Sequence, residues 1–349
     1  MSTAWFTRAL VPWYREHRRP LPWRESIDPY RIWLSEVILQ QTRVDQGWAY
    51  WERFVAHYPT VGDLAAAPED EVLRLWQGLG YYSRARNLRM AAQQVMELHN
   101  GGFPQDLDQL KGLKGVGDYT AAAIGSIAFG LAEPVVDGNV YRVLARVFGI
   151  DTAIDSTAGR VEFRALAASL LDQKAPGDHN QALMELGALV CLPKGPRCEE
   201  CPVSQKCIAR RTDRIAQLPV KATRTKVRTR HLNYLHITRT DGICLQKRTG
   251  KDIWRGLYEL PLIESKVALT KKGLADALAD AHGPGWTVTG MEGPVKHILT
   301  HQHLLARFWH VIPPKDLVHP TEWEFVNPDA LDRYALPRLM ERYLLPDPH

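Results

Sequence analysis

Apolar residues recur at helical spacing along the first 210 residues of the chain. Over residues 28–59 they are separated by three or four positions or by sums of these steps, which is typical of a buried helix face. These residues are Trp33, Val37, Val44, Trp48, Trp51 and Val55. Asp28 can cap this stretch, and Pro29 can occupy the first helical position. Further helices are predicted at about 69–77, 83–98, 118–130, 138–147, 158–172 and 179–190, so residues 1–210 are predicted to be all helical.

The pattern changes after residue 210. Eight Lys or Arg residues fall between positions 210 and 230 with little apolar periodicity, which indicates an exposed basic linker at 211–229. Beyond it, two strand-like runs predict a hairpin that turns over Thr240 to Gly242. A helix at 271–282 and a strand pair near 296–312 complete a mixed α and β domain at 230–349.

Composition and charge narrow the class of protein only slightly. A length of 349 residues favours at least two domains. Forty-four Lys and Arg against 39 Asp and Glu give a net charge of +5, which permits a polyanionic partner without proving one. The N-terminus does not resemble a signal peptide, and the apolar run 119–136 is too interrupted for a membrane span. We therefore expect no membrane association and a reducing compartment in which thiols remain available for metals. This compartment would be the cytoplasm, at the nucleoid, in a prokaryote, and the nucleus or the mitochondrion in a eukaryote.

Four of the five cysteines form a compact group with the spacing C-x6-C-x2-C-x5-C; they are Cys191, Cys198, Cys201 and Cys207. Four thiolates in one short loop can hold a 4Fe-4S cluster or a single zinc ion. Zinc sites usually have two close pairs of ligands separated by a longer segment. Here one compact loop supplies all four cysteines, so the spacing favours the cluster. Basic residues surround the loop, and we expect the metal to fold a basic segment that contacts phosphates.

A glycine-rich turn lies in LKGLKGVGDYTAAAI, residues 110–124. Gly115 and Gly117 allow positive φ angles and close approach of a ligand to the backbone. The turn lacks the Lys-Ser/Thr ending of a P-loop and the preceding strand of a dinucleotide fold. Between two predicted helices it fits a helix-hairpin-helix, at about 108–130, that grips a DNA phosphate; an ordinary inter-helix turn is the alternative.

Asp137 stands in VVDGNV, directly before a helix predicted to begin near Asn139. The helix N-terminus favours the ionised form of a nearby carboxylate. An N-cap or a simple turn would explain an isolated Asp-Gly pair equally well.

Together, GVGDYTA, VVDGNV and the cysteine spacing resemble the helix-hairpin-helix DNA glycosylase superfamily with its iron-sulfur loop. Within that superfamily, SEVILQQT (35–42), GLGYYSRARNL (78–88) and NQALMELGALVC (180–191) resemble the A/G-specific adenine DNA glycosylases. The resemblance extends to about residue 210 and is looser beyond. It implies a six-helix barrel module, a 4Fe-4S cluster, and a monomer that binds double-stranded DNA containing an adenine mispair.

Excision of a base needs an acid for the leaving group and an anion for the sugar cation. The resemblance implies that Asp137 stabilises or traps the sugar and that Glu36, whose pKa partial burial would raise, protonates adenine N7. It also includes Asn139 and Tyr119 in the catalytic set. Tyr119 occupies the position of the lysine that cleaves the strand in bifunctional relatives, so efficient strand cleavage is not expected. Lys111 and Lys114 are predicted to lie on the other arm of the hairpin, out of register.

Further residues are assigned by the same resemblance. Gln41 and Tyr81 are expected to wedge into the duplex next to the flipped base, and Gly115 and Gly117 to contact DNA. The adenine pocket is expected to be lined by Arg19, Leu21, Trp23, Leu39 and Gln181. Without the family, these side chains would be assigned to the core or to the surface.

The C-terminal domain resembles a Nudix fold, but it has no Nudix box, so hydrolysis of nucleoside diphosphates is not expected. In KHILTHQHL, Leu299, Thr300 and His301 stand where the family has a Phe-Ser-His motif that recognises the opposite 8-oxoguanine. The hydroxyl and the imidazole are retained, and the aromatic ring is not. An ordinary edge strand with a polar tip is the alternative.

The leading hypothesis is a monofunctional glycosylase that removes adenine mispaired with 8-oxoguanine or guanine. A pyrimidine-lesion glycosylase with lyase activity is the enzymatic alternative, against which Tyr119 and the C-terminal domain argue. A DNA-binding iron-sulfur protein without catalytic activity would need the hairpin and the cluster but neither carboxylate.

Overall fold

The computed structural model describes residues 4–223, 227–318 and 320–345, which divide into two compact units. The helical unit contains the described residues up to 66 and those from 87 to 223. The mixed unit contains residues 67–86 and the described residues from 227 onward. The grouping of 67–86 with the C-terminal part of the chain has no signal in the hydrophobic pattern.

The chain up to residue 211 forms helices. All of them belong to the helical unit except α5 and the first residues of α6, which belong to the mixed unit. The helices up to residue 211 are α1 (Ala4–His17), α2 (Pro29–Leu39), α3 (Val44–His57), α4 (Val61–Ala66), α5 (Glu69–Leu75), α6 (Ser83–His99), α7 (Leu107–Gly112), α8 (Asp118–Ala128), α9 (Gly138–Phe148), α10 (Thr157–Leu170), α11 (Pro176–Leu189) and α12 (Ile208–Arg211). None of the helices in the described part of the chain is long and apolar enough to cross a membrane.

Helix α9 illustrates why these segments are helical. Val140, Val143, Leu144 and Val147 recur at steps of three, one and three, which places them on one face, and all four are buried. They pack in a core with α1, α10 and α11, to which Phe163 contributes a fully buried ring. This packing fixes the position of the N-terminus of α9, where Asp137 lies.

The helical pattern over residues 28–59 forms two helices, α2 and α3. Asp28 caps α2 by accepting a hydrogen bond from the Tyr30 backbone N–H, as its position predicts. The helix ends at Leu39, since Gln40 leaves the helical region with ψ of 113° and Gln41 follows in a left-handed conformation with φ of 57°. Apolar spacing alone does not reveal this break, because the periodic positions continue on both sides of it.

The predicted exposed linker is wrong for the segment around Leu218, which is buried in the helical core. Arg146 on α9 donates hydrogen bonds from Nε to the carbonyl oxygens of Ile215 and Leu218, at 3.1 and 3.0 Å. Asp155 accepts bonds from the backbone N–H groups of residues 222 and 223. A buried arginine needs acceptors, and this segment supplies them. Residues 224–226 of the predicted linker lie outside the described residues.

Two sheets form the mixed unit. Its strands are β1 (Arg228–His236), β2 (Thr238–Arg239), β3 (Gly242–Lys247), β4 (Tyr258–Glu259), β5 (Leu262–Ser265), β6 (Thr287–Ile298), β7 (Gln302–Ile312) and β8 (Trp323–Val326). One sheet has the order β5-β1-β7-β6, with β1 and β7 parallel, and in the other β8 pairs with β3 of β2-β3-β4. Helices α13 (Lys271–His282) and α14 (Arg338–Leu344) complete the unit. The predicted hairpin, helix and strand pair are confirmed.

Candidate functional site

Glu36 and Tyr119 form the centre of a hydrogen-bonded group in the helical unit. Glu36 lies on α2 and is half-buried, and Tyr119 lies in the first turn of α8. The Tyr119 hydroxyl donates to Glu36 Oε2 at 2.5 Å and lies 3.7 Å from the Met184 sulfur on α11. Residues of three helices therefore meet at the Tyr119 hydroxyl.

The environment of Glu36 gives it an unusual acidity. Burial raises its pKa, and so does the negative charge of Asp137, whereas the Tyr119 hydrogen bond and the Arg24 charge lower it. The balance places the pKa of Glu36 at about 7, and the upward direction agrees with the sequence-based expectation. A carboxyl group with this pKa is present in both protonation states near neutral pH, which suits a general acid.

Asp137 caps α9. Its Oδ1 accepts a hydrogen bond from the Val140 backbone N–H at 2.7 Å, and its Oδ2 accepts one from Asn139 Nδ2 at 2.8 Å. Burial raises the pKa of Asp137, and this effect outweighs the hydrogen bonds and the Arg142 charge that lower it. The helix N-terminus favours the ionised form of Asp137, as predicted, through the Val140 N–H, but burial has the larger effect on the pKa.

Arg142 holds Asn139 in place. Its NH2 group donates to Asn139 Oδ1 at 2.8 Å and to the Gly187 carbonyl at 2.7 Å, and its Nε donates to the Cys191 carbonyl at 2.6 Å. A Cβ at Gly187 would come within 2.5 Å of Asn139 Cβ, so the glycine permits the close approach. The sequence analysis missed Arg142, although a charged residue on the buried face of α9 was a signal.

A buried ion-pair group lies close enough to act on Glu36. Glu185 is 1% exposed and accepts paired hydrogen bonds from Arg19 and Arg24, at 2.7 to 2.9 Å. Burial alone would raise the pKa of Glu185, but these two arginines lower it to about 2. Arg24 and Glu185 were not predicted, and the acidic residue within the buried ALMELGAL stretch was the available signal.

The other residues assigned to the base pocket lie in the same unit, outside the hydrogen-bonded group around Glu36. Leu21 and Trp23 are buried, at 3% and 7% exposure, and Trp23 packs edge-on against Trp48 and Trp51. Leu39 packs against Gly47, and Gln181 is half-buried on α11. Arg19 is engaged with Glu185, as described above. Of the five residues, Leu21, Trp23 and Leu39 therefore have packing contacts, Arg19 has an ion pair, and Gln181 is half-buried.

The glycine turn joins α7 to α8. Gly115 has φ of +78°, and a Cβ there would lie 2.7 Å from Asn87 Cβ. Gly117 precedes α8 with φ of −93°, so the expectation of a positive φ is wrong at this residue. Lys111 on α7 forms an ion pair with Asp118 at 3.0 Å. Lys114 lies in the turn itself, and not on the preceding helical arm as predicted.

Gln41 and Tyr81, the two predicted wedges, share one backbone property. Both are exposed and adopt positive φ angles, 57° for Gln41 and 47° for Tyr81. Such conformations are costly for residues other than glycine and are found preferentially at functional sites.

The four cysteines of the loop are free thiols that line a common cavity, to which Arg146 contributes. Arg146 NH1 lies 3.5 Å from Cys191 Sγ. Burial raises the pKa of Cys201 to about 11, and the negative charges of the other three cysteines in their thiolate form contribute to this increase. The four thiols therefore need a nearby positive charge in order to ionise together. Four thiolates are also the donor set of a metal cluster, which would supply that charge. Within the described ranges, no three His, Cys, Asp or Glu side chains are arranged to hold a single metal ion.

The mixed unit contains a cavity of about 400 Å³, which we call the mixed-unit cavity. It is lined by residues 79–83, Arg86, 252–254 and 298–302. The Tyr81 hydroxyl lies 2.6 Å from Thr300 Oγ1, and the turn at residues 299–302 is closed by the Leu299 N–H bonded to the Gln302 carbonyl at 2.8 Å. Leu299 packs on the core, whereas Thr300 and His301 are exposed. The three residues of the predicted recognition motif thus line one cavity with a predicted wedge.

Comparisons with known proteins agree with this architecture. Residues 34–167 match the model of the HhH-GPD superfamily base excision DNA repair protein, and residues 233–345 match the NUDIX domain. The human adenine DNA glycosylase is 47% identical over 214 residues, which cover 59% of this chain and 39% of that protein. An adenine DNA glycosylase from Buchnera aphidicola subsp. Baizongia pistaciae is 33% identical over 268 residues, covering 75% and 74%. The solved structure of a thermostable thymine-DNA glycosylase aligns with a TM-score of 0.56 and 29% identity, covering 60% of this chain and 97% of that one.

The chain spans less than two thirds of the length of its mammalian relatives, with 39–61% of the human, rat and mouse proteins covered.

Proposed function

We propose that this chain, which belongs to the adenine DNA glycosylase family, hydrolyses the N-glycosidic bond of adenine in DNA. The observation that supports this most strongly is the half-buried Glu36, with a pKa of about 7, hydrogen-bonded to Tyr119 and acted on by the charge of Asp137. Base excision requires an acid and an anion, and Glu36 and Asp137 supply these two groups in one site that is partly shielded from water.

In the proposed reaction, Glu36 donates its proton to adenine N7. The bond between C1′ of the sugar and N9 of adenine breaks, and its electron pair leaves with the base. The Asp137 carboxylate, held by Val140 and Asn139, stabilises the positive charge on the sugar. Water then adds to C1′ and transfers a proton to the Glu36 carboxylate, which restores the acid and leaves free adenine and an abasic site.

Tyr119 makes the proposed enzyme monofunctional. Its hydroxyl donates to Glu36, its pKa is raised well above the ordinary value by burial, and a phenol does not form a Schiff base. The strand should therefore remain intact after adenine is released.

We further propose that the partner is double-stranded DNA and that the protein acts as a monomer. The turn with Gly115 and Gly117 would hold a phosphate, and the exposed Gln41 and Tyr81 would fill the space left by the flipped adenine. Arg19, Leu21, Trp23, Leu39 and Gln181 would form the adenine pocket around Glu36.

The mixed-unit cavity is the proposed site for the opposite base. Thr300 and His301 are exposed hydrogen-bonding groups at its edge, and they would distinguish 8-oxoguanine from guanine. Leu299 supplies an aliphatic wall in place of an aromatic one.

The cysteine loop is proposed to bind a 4Fe-4S cluster through Cys191, Cys198, Cys201 and Cys207. When bound, the cluster would cross-link the loop and provide the positive charge that four half-buried thiolates require. Protein purified anaerobically should show the broad visible absorbance of an iron-sulfur cluster. Stoichiometric zinc without that absorbance would overturn this assignment.

Product analysis tests the proposed activity. A duplex with adenine opposite 8-oxoguanine should yield free adenine, and the strand should break only after alkali treatment. Borohydride should trap little protein on the DNA. Release of an oxidised pyrimidine with strand cleavage would favour the bifunctional alternative, and tight binding without release of any base would favour a non-catalytic DNA-binding protein.

A further inference from the structure

Arg230 is a buried cation at the beginning of β1, and its side chain is only 4% exposed. Its Nε donates to Glu264 Oε1 at 2.7 Å, and NH2 donates to Glu264 Oε2 at 2.5 Å and to Asp252 Oδ2 at 2.6 Å. Its NH1 donates to Asp252 Oδ1 and to Gln302 Oε1, both at 3.0 Å. Five bonds use the full donor capacity of a guanidinium group.

The three partners belong to three different parts of the mixed unit. Glu264 is on β5, within the sheet. Asp252 is in the segment after β3, and Gln302 is the first residue of β7, directly after Leu299, Thr300 and His301. Asp252 and Gln302 both line the mixed-unit cavity. Arg230 therefore connects two walls of that cavity to one another and to the sheet.

The wall that contains Asp252 is held in an unusual conformation. Trp254 has φ of +61°, which is rare for a bulky side chain, and its indole contacts the His297 ring at 5.7 Å between centroids. Arg248 donates to the Ile253 carbonyl at 3.0 Å and to Asp252 Oδ2 at 2.8 Å. A strained segment keeps its shape only when its surroundings fix it, and here two arginines do so.

The wall that contains Gln302 is fixed by β1, the strand that carries Arg230. The Arg228 backbone N–H donates to the His301 carbonyl at 3.0 Å, and β1 pairs in parallel with β7 from Arg228 and Gln302 onward. The side chains of Thr300 and His301 are exposed, and their position is set by the backbone, by Gln302 and, for Thr300, by the Tyr81 hydroxyl.

We propose that Arg230 is a positioning residue for opposite-base selectivity, which it sets by fixing the separation between the Asp252 wall and the Gln302 wall of the mixed-unit cavity. The inference rests on the proposed function, in which this cavity receives the base opposite adenine. Arg230 itself does not line the cavity, so its effect passes through Asp252 and Gln302. Lysine cannot replace it, because an ammonium group has three donors and no planar fork.

The test uses the full chain and measures single-turnover rate constants of adenine release with enzyme in excess. Two duplexes are compared, with adenine opposite 8-oxoguanine and opposite guanine. Arg230→Lys keeps the charge but loses the fork. Gln302→Leu removes one wall contact and leaves both ion pairs of Arg230. Arg239→Met is the matched control, because Arg239 is exposed, packs on Phe325 and does not line the cavity.

We expect Arg230→Lys and Gln302→Leu to reduce the ratio of the two rate constants by roughly fivefold or more, and Arg239→Met to leave it unchanged. A ratio of rate constants does not depend on the fraction of active protein, so loss of stability alone would not change it. An unchanged ratio in both variants would overturn the proposal while leaving the proposed function intact. Failure of the wild-type protein to release adenine from either duplex would instead contradict the proposed function.

Discussion

The Glu36 site and the mixed-unit cavity are both built around buried charge, but they use it differently. At the Glu36 site the half-buried carboxyl groups of Glu36 and Asp137 are themselves the proposed reacting groups, and their surroundings set their acidity. In the mixed-unit cavity the buried Arg230 does not line the cavity itself but bonds to two residues that do, and the groups proposed to contact DNA are exposed. Changes at the Glu36 site should therefore alter rate, whereas changes at the cavity should alter selectivity.

Glu36→Gln gives the sharpest test of the first half of this comparison. Loss of the acid should lower the single-turnover rate of adenine release by roughly 10²- to 10⁴-fold on every mispair. Binding to the same duplex, followed by fluorescence anisotropy, should be retained. Glu52→Gln is the control, because Glu52 is exposed and bonded to Trp48 on α3. Release at the wild-type rate from Glu36→Gln would remove Glu36 from the mechanism.

Replacement of both Thr300 and His301 by alanine should affect selectivity and not the chemical step. We expect preference for 8-oxoguanine over guanine to fall by about tenfold, the value of one or two hydrogen bonds. The rate opposite guanine should change little. Thr289→Ala on β6 is the matched control, since that hydroxyl donates to the His310 carbonyl away from the cavity. A preference that survives the double replacement would place opposite-base recognition elsewhere.

The pH dependence of adenine release tests the acidity of Glu36. Because burial raises the pKa of Glu36 to about 7, its acid form persists to neutral pH, and the rate should fall as pH increases through about 7. Tyr119→Phe removes a hydrogen bond that lowers this pKa, so the falling limb should move to higher pH. Tyr141→Phe, on a half-buried tyrosine that packs against Phe163, should leave the profile in place. Movement to lower pH in Tyr119→Phe would contradict the assignment.

Lys114→Gln should have the smallest effect, confined to DNA affinity. If the exposed Lys114 contacts a phosphate, its loss should reduce the slope of log K against log salt by about 0.9. Lys111→Gln should change the slope less, because Asp118 already compensates the Lys111 charge at 3.0 Å. Equal slopes in wild type and Lys114→Gln would show that the turn binds through its backbone alone.

Much of the fold could be predicted because helical and strand periodicities are local. The helix predicted at 138–147 is α9, Gly138–Phe148, and the one predicted at 271–282 is α13, with the same bounds. The break between α2 and α3 could not be predicted, because it depends on the backbone conformations of Gln40 and Gln41. The anchoring of Leu218 could not be predicted either, because it depends on a distant residue, Arg146.

The site residues show the same limit. Glu36 and Tyr119 are 83 positions apart, and only the resemblance to a family brought them together before the structure did. Arg230 and Gln302 are 72 positions apart, and no motif marked either as part of a common group. Long-range contacts between polar side chains leave no periodic trace in a sequence, so a charged residue in an apolar stretch is the best available signal.

The central claim is most directly tested by single-turnover adenine release on three duplexes, with adenine opposite 8-oxoguanine, guanine or thymine. We expect the rate of adenine release to decrease in that order, fastest opposite 8-oxoguanine and slowest opposite thymine, with the strand left intact. Release that is equally fast opposite all three bases, or no release from any of them, would contradict it.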